Sequence, residues 1–319
     1  MEKVLLLGAS GLLGRNVLEE LLKRGIPTRL LVRRPLGVPG AEERIGSLLR
    51  REALQAAVEG CSAIINCAGT TDMTLPCVED FYPVNRDLPM MLCEVALQAG
   101  VRTLVHTSTA NTLQIGLQEQ PATEETPFGP PYDTSPYALS KKAGEDAVLA
   151  FSRQHPALRT VVVNPGFMVG PFDSKPSSGQ LLLAAYRKPL MFALPGAKSY
   201  LPVKDAARAI VNALSQGEGR YLLTGRCLSM KAFFQLQARV CGYRQRCVEV
   251  PAFAVRLAGA VGILCKALKI KTMLYPHNIR QMLCEEWYSS EKAQRELGYQ
   301  CTSLEQAVAD FYAWREASE

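Results

Sequence analysis

The chain has 319 residues, 48% hydrophobic and 21% charged, with 36 Lys and Arg against 30 Asp and Glu for a formal charge of +6. That balance excludes a disordered chain and leaves room for one large or two ordinary domains with proper cores. The cations fall in scattered pairs (Arg33-Arg34, Arg50-Arg51, Lys141-Lys142) and form no basic run interleaved with aromatics, so nucleic acid is a poor partner and a small anionic ligand a better one.

The start, MEKVLLLGASGLLG, has the short charged n-region and apolar run of a signal peptide, but no small-residue cleavage site precedes the charged NVLEELLKR. It reads as a first strand and helix. Strand-length apolar runs then recur at Lys3–Leu7, Thr28–Val32, Ala63–Asn66, Thr103–Thr107 and Thr160–Asn164, alternating with helical spacing over Leu12–Arg24, Ala53–Val58, Asp87–Gln98 and Tyr137–Gln154. Gly25-Ile-Pro27, Gly60, Gly100 and His155-Pro156 lie between each helix and the next strand. Alternation of this kind predicts an α/β fold, a doubly wound parallel Rossmann sheet with helices on both faces and right-handed crossovers. The spacing predicts a nucleotide-binding domain over 1–165, followed by a smaller, mostly helical substrate-binding lobe over 166–319, with segments around 200–225 returning to the Rossmann sheet.

Within 166–319, a Pro- and Gly-rich stretch (GPFDSKPSSG) leads into helices at Gln180–Arg187 and Asp205–Ser215, with Asp205 as N-cap, and a strand at Arg220–Leu223. The apolar stretch Ala252–Ile270 is interrupted by Arg256, Lys266 and Lys269 and is too charged and too short to span a bilayer. It is expected to bury its apolar face in the substrate lobe, with a weak membrane-surface contact as the alternative. Ten cysteines contain no C-x-x-C, and the three histidines (106, 155, 277) stand far apart, so reduced thiols, a cytoplasmic setting and no metal site are expected.

Gly8-Ala-Ser10-Gly11-Leu12-Leu13-Gly14 follows the first strand and opens the first helix, where glycines let the backbone approach a pyrophosphate and the helix N-terminus offers N–H groups. An acid about 20 residues further on would select NAD through the ribose hydroxyl. Here the second strand ends in Arg33-Arg34-Pro35, with no acid before Glu42, which favours the 2′-phosphate of NADP (NADPH) over NAD.

Three Tyr-x-x-x-Lys strings occur. Tyr200–Lys204 contains Pro202, which breaks the shared helical face, and Tyr288 precedes the helix that carries Lys292. Tyr137–Lys141 follows Ser135-Pro136 at a helix start and places phenol and ammonium on one face. A neighbouring ammonium favours phenolate and so fits a phenol for acid–base work at neutral pH. The strand end His106-Thr107-Ser108-Thr109 supplies a hydroxyl for the substrate oxygen, Thr109 first and Ser108 in reserve.

These residues, with NCAG at 66–69, VNRD around Asn85, NPGFMVGP at 164–171, YLPVKDAARA at 200–209 and RYLLTG at 220–225, resemble the extended short-chain dehydrogenase/reductases, specifically bacterial proteins similar to dihydroflavonol 4-reductases and NAD(P)-dependent sugar epimerases. The resemblance implies Thr109, Tyr137 and Lys141 as the catalytic group. It also implies a diphosphate cradle of Gly8, Ser10, Gly11, Leu12, Leu13 and Gly14, an adenosine-ribose side at Ala68 and Gly69, a nicotinamide side at Pro165 and Gly166, Tyr137 and Lys141 on the cofactor as well, and a homodimer. Two positions depart from the family pattern: Ser47 stands where an Asp usually contacts adenine, and Asn164 where an Arg usually precedes Pro-Gly. The expected activity is reduction of a ketone or aldehyde, a small-molecule carbonyl compound, by NADPH. Met73, Phe167, Met168, Phe172 and the Phe253–Leu257 segment are expected as an apolar substrate wall. The alternatives are a nucleotide-sugar epimerase holding NAD tightly, with Arg187, Arg220 and Arg226 as candidate diphosphate ligands, and a non-catalytic NADP-sensing or assembly protein.

Overall fold

The structure, a computed structural model, describes residues 3–174, 179–268 and 270–318. Lys269 and residues 175–178 of the Pro- and Gly-rich stretch lie outside the described residues. Each apolar run of the first half is a strand: β1 (Lys3–Leu7), β2 (Thr28–Val32), β4 (Cys61–Asn66), β5 (Thr103–Thr107) and β6 (Arg159–Pro165). One more, β3 (Ala41–Ile45), has the sequence AEERI and no apolar run to mark it. It forms an edge of the sheet, where charged side chains on one strand face cause no burial cost. With β10 (Gly219–Leu223) the sheet has seven strands in the order β10-β6-β5-β4-β1-β2-β3, every neighbour pair parallel.

Successive side chains of these strands point to opposite faces, and both faces are covered. Leu6, Leu30, Ile65, Val105 and Val163 pack under α1 (Leu12–Lys23) and α6 (Val203–Asn212). Leu5, Leu7, Ile64, Leu104 and Val162 pack under α2 (Arg51–Val58), α3 (Leu88–Gln98) and α4 (Pro136–Gln154). A wide π-type turn, Pro83–Asp87, runs directly into α3.

After β6 the chain adds β7 (Phe167–Val169), α5 (Gly179–Ala185), β8 (Leu190–Ala193) and β9 (Ala197–Pro202) before α6. β11 (Arg226–Ser229), α7 (Met230–Val240) and β12 (Arg246–Glu249) follow β10. Helices α8 (Ala252–Ala267), α9 (Pro276–Met282), α10 (Glu291–Leu297) and α11 (Leu304–Glu316) complete the C-terminal region. Its helices enclose a core of Tyr200, Phe233, Phe234, Phe311 and Tyr312, in which the Tyr200 and Phe233 rings stack at 4.2 Å. The 200–225 stretch divides: α6 and β10 join the main sheet, while β9 pairs with β7 and β11 in a small second sheet. Asp205 does not cap α6, whose N-cap is Pro202. Buried in the first turn, it accepts from the Thr302 N–H at 2.6 Å and pairs with Arg208, tying the chain before α11 to α6.

Glycine at 144 sets how closely α4 approaches the rest. A Cβ built there would lie 2.0 Å from the Asn85 carbonyl oxygen, so α4 rests directly on the backbone of the π-type turn. Gly144→Ala should push the two apart and cost about 1–3 kcal/mol, read as a lower denaturation midpoint; an unchanged midpoint would show that this contact does not set the packing.

Candidate active site

In a parallel sheet the carboxyl ends of all strands lie along one edge, and the reversal of strand order between β1 and β4 opens a crevice there. The loops that leave this edge are Gly8–Gly11 after β1, Arg33-Arg34 after β2, Ala68-Gly69 after β4, Ser108-Thr109 after β5 and Gly166 after β6. The residues read from the sequence as the catalytic group and the dinucleotide contacts therefore stand on one edge or at the start of α1 or α4.

The glycine loop has the geometry of a cradle. Gly8 has φ +80°, and a Cβ on it would lie 2.6 Å from the Ala68 nitrogen; a Cβ on Gly14 would lie 2.1 Å from the Gly8 carbonyl oxygen. Both positions need glycine, and together they bring β1, α1 and the loop after β4 into backbone contact. Gly11 is the N-cap of α1 and has no side chain to serve the first-turn N–H groups at Leu12, Leu13 and Gly14, while Ser10 and Gly11 are exposed. Uncapped N–H groups at a helix start suit an anion, so these residues fit the diphosphate of a dinucleotide. Arg33 and Arg34 are both exposed, and neither makes an ion pair among the described residues. Pro165 pairs in register with Leu223, and the Gly166 N–H donates to the Leu223 carbonyl at 2.9 Å.

Helix α4 carries the phenol and the ammonium. Ser135 caps it by accepting from the Ala138 N–H, with Pro136 at the first helical position. Tyr137 and Lys141 then share a face. Burial raises the Tyr137 pKa above its ordinary value, and a hydrogen bond from the Thr109 hydroxyl offsets part of that shift. Lys141 is 3% exposed. Its Nζ donates to the Thr107 carbonyl at 2.7 Å, and burial lowers its pKa to about 8, against a raising pull from Glu145. An added Cβ at Gly69 would be 3.9 Å from that Nζ, so the loop after β4 passes beside the ammonium. Thr109 Oγ1 also accepts from the Asn111 N–H at 3.4 Å, and the buried Ser108 Oγ has no hydrogen-bond partner among the described residues. Thr109, Tyr137 and Lys141 are thus brought together. In the other two Tyr-x-x-x-Lys strings the residues part: Tyr200 lies in β9 with Lys204 paired to Asp310 at 2.5 Å, and Lys292 donates to the Arg220 carbonyl while Tyr288 lies before α10.

The structure adds residues that spacing did not reveal. Asn85 accepts from the Thr70 N–H at 2.9 Å and donates to the Thr70 carbonyl and to Ser140 Oγ, both at 3.0 Å, clamping the loop after β4 to α4. Glu145, fully buried one turn beyond Lys141, accepts from Thr112 at 2.9 Å and from Asn164 at 2.7 Å, and its other oxygen lies 2.7 Å from Arg220 Nη2. The recurrence Tyr137, Lys141, Glu145 at four-residue intervals was the available signal. The expected apolar wall is only partly assembled. Phe167 packs against Tyr200, Phe172 lies against Trp314 and under Arg15, and Phe253 and Leu257 point to solvent.

A family model described as the NAD dependent epimerase/dehydratase family matches residues 4–222. The chain belongs to this family. Among its relatives, sterol demethylase protein B of Methylococcus capsulatus is 29% identical, with 97% of each chain covered. The 4-hydroxy-2-methyl-3-oxo-4-farnesyl-3,4-dihydroquinoline-1-oxide ketoreductase of Stigmatella aurantiaca is 29% identical over 92% of this chain and 90% of that one. Dihydroflavonol 4-reductases are also similar. The crystal structure of gox2253 superposes with a TM-score of 0.84 at 27% identity, covering 100% of this chain and 99% of that one. This family member is accordingly an extended short-chain NAD(P)-dependent oxidoreductase with a Rossmann-like sheet.

The pKa shift of Lys141 carries a stability cost. The unfolded chain holds the proton up to about pH 10.5, the ordinary value, and the folded chain only to about pH 8, so stability rises with pH between the two. Lys141→Met should therefore raise stability at pH 7 by about 1–3 kcal/mol, with the gain fading towards pH 10. Thermal denaturation across that range checks it, and a loss at pH 7 would contradict the argument.

Proposed function

We propose that this family member is an NADP(H)-dependent oxidoreductase that interconverts a ketone and an alcohol on a hydrophobic small molecule, with reduction of the carbonyl as its forward reaction. The observation that carries the reading is the convergence of Thr109, Tyr137 and Lys141 where α4 begins beside the end of β5. Bound NADPH supplies the hydride. The Gly8–Gly14 cradle, Ala68-Gly69 and Pro165-Gly166 hold the dinucleotide, with Arg33 and Arg34 facing the 2′-phosphate. The Thr109 hydroxyl and the Tyr137 phenol hold the substrate oxygen between them, and Tyr137 gives it the proton. The Lys141 ammonium favours the phenolate that remains and so makes proton release easier at neutral pH. Holding the oxygen in line removes much of the entropic part of the barrier.

Two observations support a hydrophobic substrate over a nucleotide sugar. The arginines that would meet a diphosphate are engaged: Arg220 with Glu145, Arg226 with Glu305 at 3.0 Å, and Arg187 over the Tyr186 ring. Two relatives that are 29% identical over more than nine-tenths of this chain are named for sterol demethylation and for reduction of a farnesyl-dihydroquinoline-oxide ketone.

Tyr137→Phe should lower kcat for NADPH-dependent reduction of polycyclic ketones by about 10²–10⁴-fold while leaving the Kd for NADPH nearly unchanged. Turnover within a few-fold of the parent would remove the phenol from the chemistry and bring forward a non-catalytic role. Exchanging both Arg33 and Arg34 for Ala should raise the KM for NADPH by about tenfold or more with little effect on NADH. Equal effects on the two cofactors would sink the 2′-phosphate assignment.

A further inference from the structure

Helix α8 is built inside out. Its buried positions are Val255, Gly259 and Gly262, with Ala252, Ala254 and Ala258 partly covered. Its large apolar residues face solvent: Phe253 is 71% exposed, Leu257 70%, Val261 53%, Ile263 and Leu264 61% each. At helical spacing these five fall within about half of the circumference, opposite the glycines. The glycines are the packing side by necessity. A Cβ on Gly262 would lie 1.8 Å from the Leu274 carbonyl oxygen and one on Gly259 3.3 Å from the Ile279 side chain, so α8 sits backbone-close on the chain that leads into α9. Leu268, Ile270, Met273 and Leu274 continue the exposed apolar surface beyond the helix. The expectation that this stretch buries its apolar face is therefore reversed. A contiguous exposed patch of this kind marks an interaction surface.

Charge says what covers it. From Val250 to Cys284 the sequence has no Asp or Glu, but it has Arg256, Lys266, Lys269, Lys271 and Arg280. Arg256 is exposed on the edge of the apolar face and has no ion pair among the described residues. Arg280 is paired with Asp133, and Lys271 acts on Asp72, so those two are partly engaged within the chain. A second copy docked by its own α8 about a two-fold axis would set cation against cation. A bilayer surface bearing anionic headgroups accepts the apolar residues and the cations together. Among the described residues no helix is long and apolar enough to cross a membrane, which leaves contact in the interface plane.

We propose that the exposed face of α8, from Phe253 to Leu264, docks this protein onto the surface of an anionic phospholipid bilayer. The face is joined to the crevice. Asn278 of α9 donates to the Met73 carbonyl at 3.0 Å, on the same stretch after β4 whose Gly69 passes beside Lys141. Helix α9, on which α8 packs, thus touches the stretch that leaves β4. This inference stands on exposure and charge and does not depend on which substrate is turned over.

The test is co-sedimentation of the full chain with vesicles of phosphatidylcholine alone and of phosphatidylcholine with phosphatidylglycerol, at low and high salt. The parent protein should bind the phosphatidylglycerol vesicles, and high salt should weaken that binding. Combined Phe253→Ser, Leu257→Ser and Leu264→Ser should reduce it by about tenfold or more, and Arg256→Glu by about fivefold. Melting temperature and NADPH affinity of both variants should match the parent, since every changed side chain is exposed. Absence of binding to phosphatidylglycerol vesicles overturns the proposal, as does unchanged binding by the triple variant. A lower melting temperature, or a parent dimer that the triple variant dissociates, would assign the face to packing or to a second copy and overturn it equally.

Discussion

A single carboxylate, Glu145, sets the register on which the site depends. It is fully buried, and a buried charge persists only where it is paired and hydrogen-bonded. Its partners come from three directions: Arg220 on β10, Asn164 on β6 and Thr112 in the short helical turn after Thr109. Moving α4 by one residue would break all three at once. Asn164 Nδ2 also reaches the Thr109 carbonyl at 3.1 Å, so the carboxylate that fixes α4 also fixes the backbone carrying the hydroxyl partner of Tyr137. The resemblance implies an arginine at position 164. Here an asparagine stands there, and the guanidinium that balances Glu145 comes from Arg220 on the neighbouring strand.

Around this anchor the buried titratable groups are arranged by desolvation. Burial lowers His106 well below its ordinary value, and the Lys141 charge pushes the same way, so the imidazole stays neutral. The Cys67 thiol, packed against Thr107, is pushed up to about 12 and does not compete as a nucleophile. Among the described residues, Lys141 is thus the buried cation beside Tyr137 and Thr109 whose pKa is lowered towards neutrality. Its positive charge is held by the Thr107 carbonyl and by the field of Glu145, four residues further along the same helix. The arrangement is unfavourable for folding, and under the proposed function it serves the phenol, the trade expected where a site is built into a core.

Much of this was legible in the chain because parallel strands covered on both faces must be continuous apolar runs, and five of the seven were. β3 was not, since an edge strand is free to be AEERI; β10 was visible only as the short run Arg220–Leu223. The Tyr137–Lys141 pair could be chosen from three strings by helix chemistry alone, because Pro136 and Ser135 announce a start and nothing interrupts the face. Contacts that cross the chain were out of reach. Asp205 has the composition of a cap, yet its partner Thr302 lies 97 residues away. Asn85, Arg220 and Asn164 likewise acquire meaning only once the strands are ordered.

Helix α8 shows where hydrophobic periodicity fails as a guide. Periodicity identifies which side of a helix is apolar, and burial of that side is an added assumption that holds when nothing but water surrounds the protein. Close approach of two backbones is a separate constraint, and it selects glycine whatever the solvent outside. Gly259 and Gly262 therefore report the packed side of α8 more reliably than Phe253 or Leu257 report the buried one, because a Cβ at 262 would collide with the backbone at Leu274 in any orientation of the larger residues. Once the glycines are taken as the inner side, Phe253, Leu257, Val261, Ile263 and Leu264 are outward by geometry, and they lie in a stretch of 35 residues without an acid.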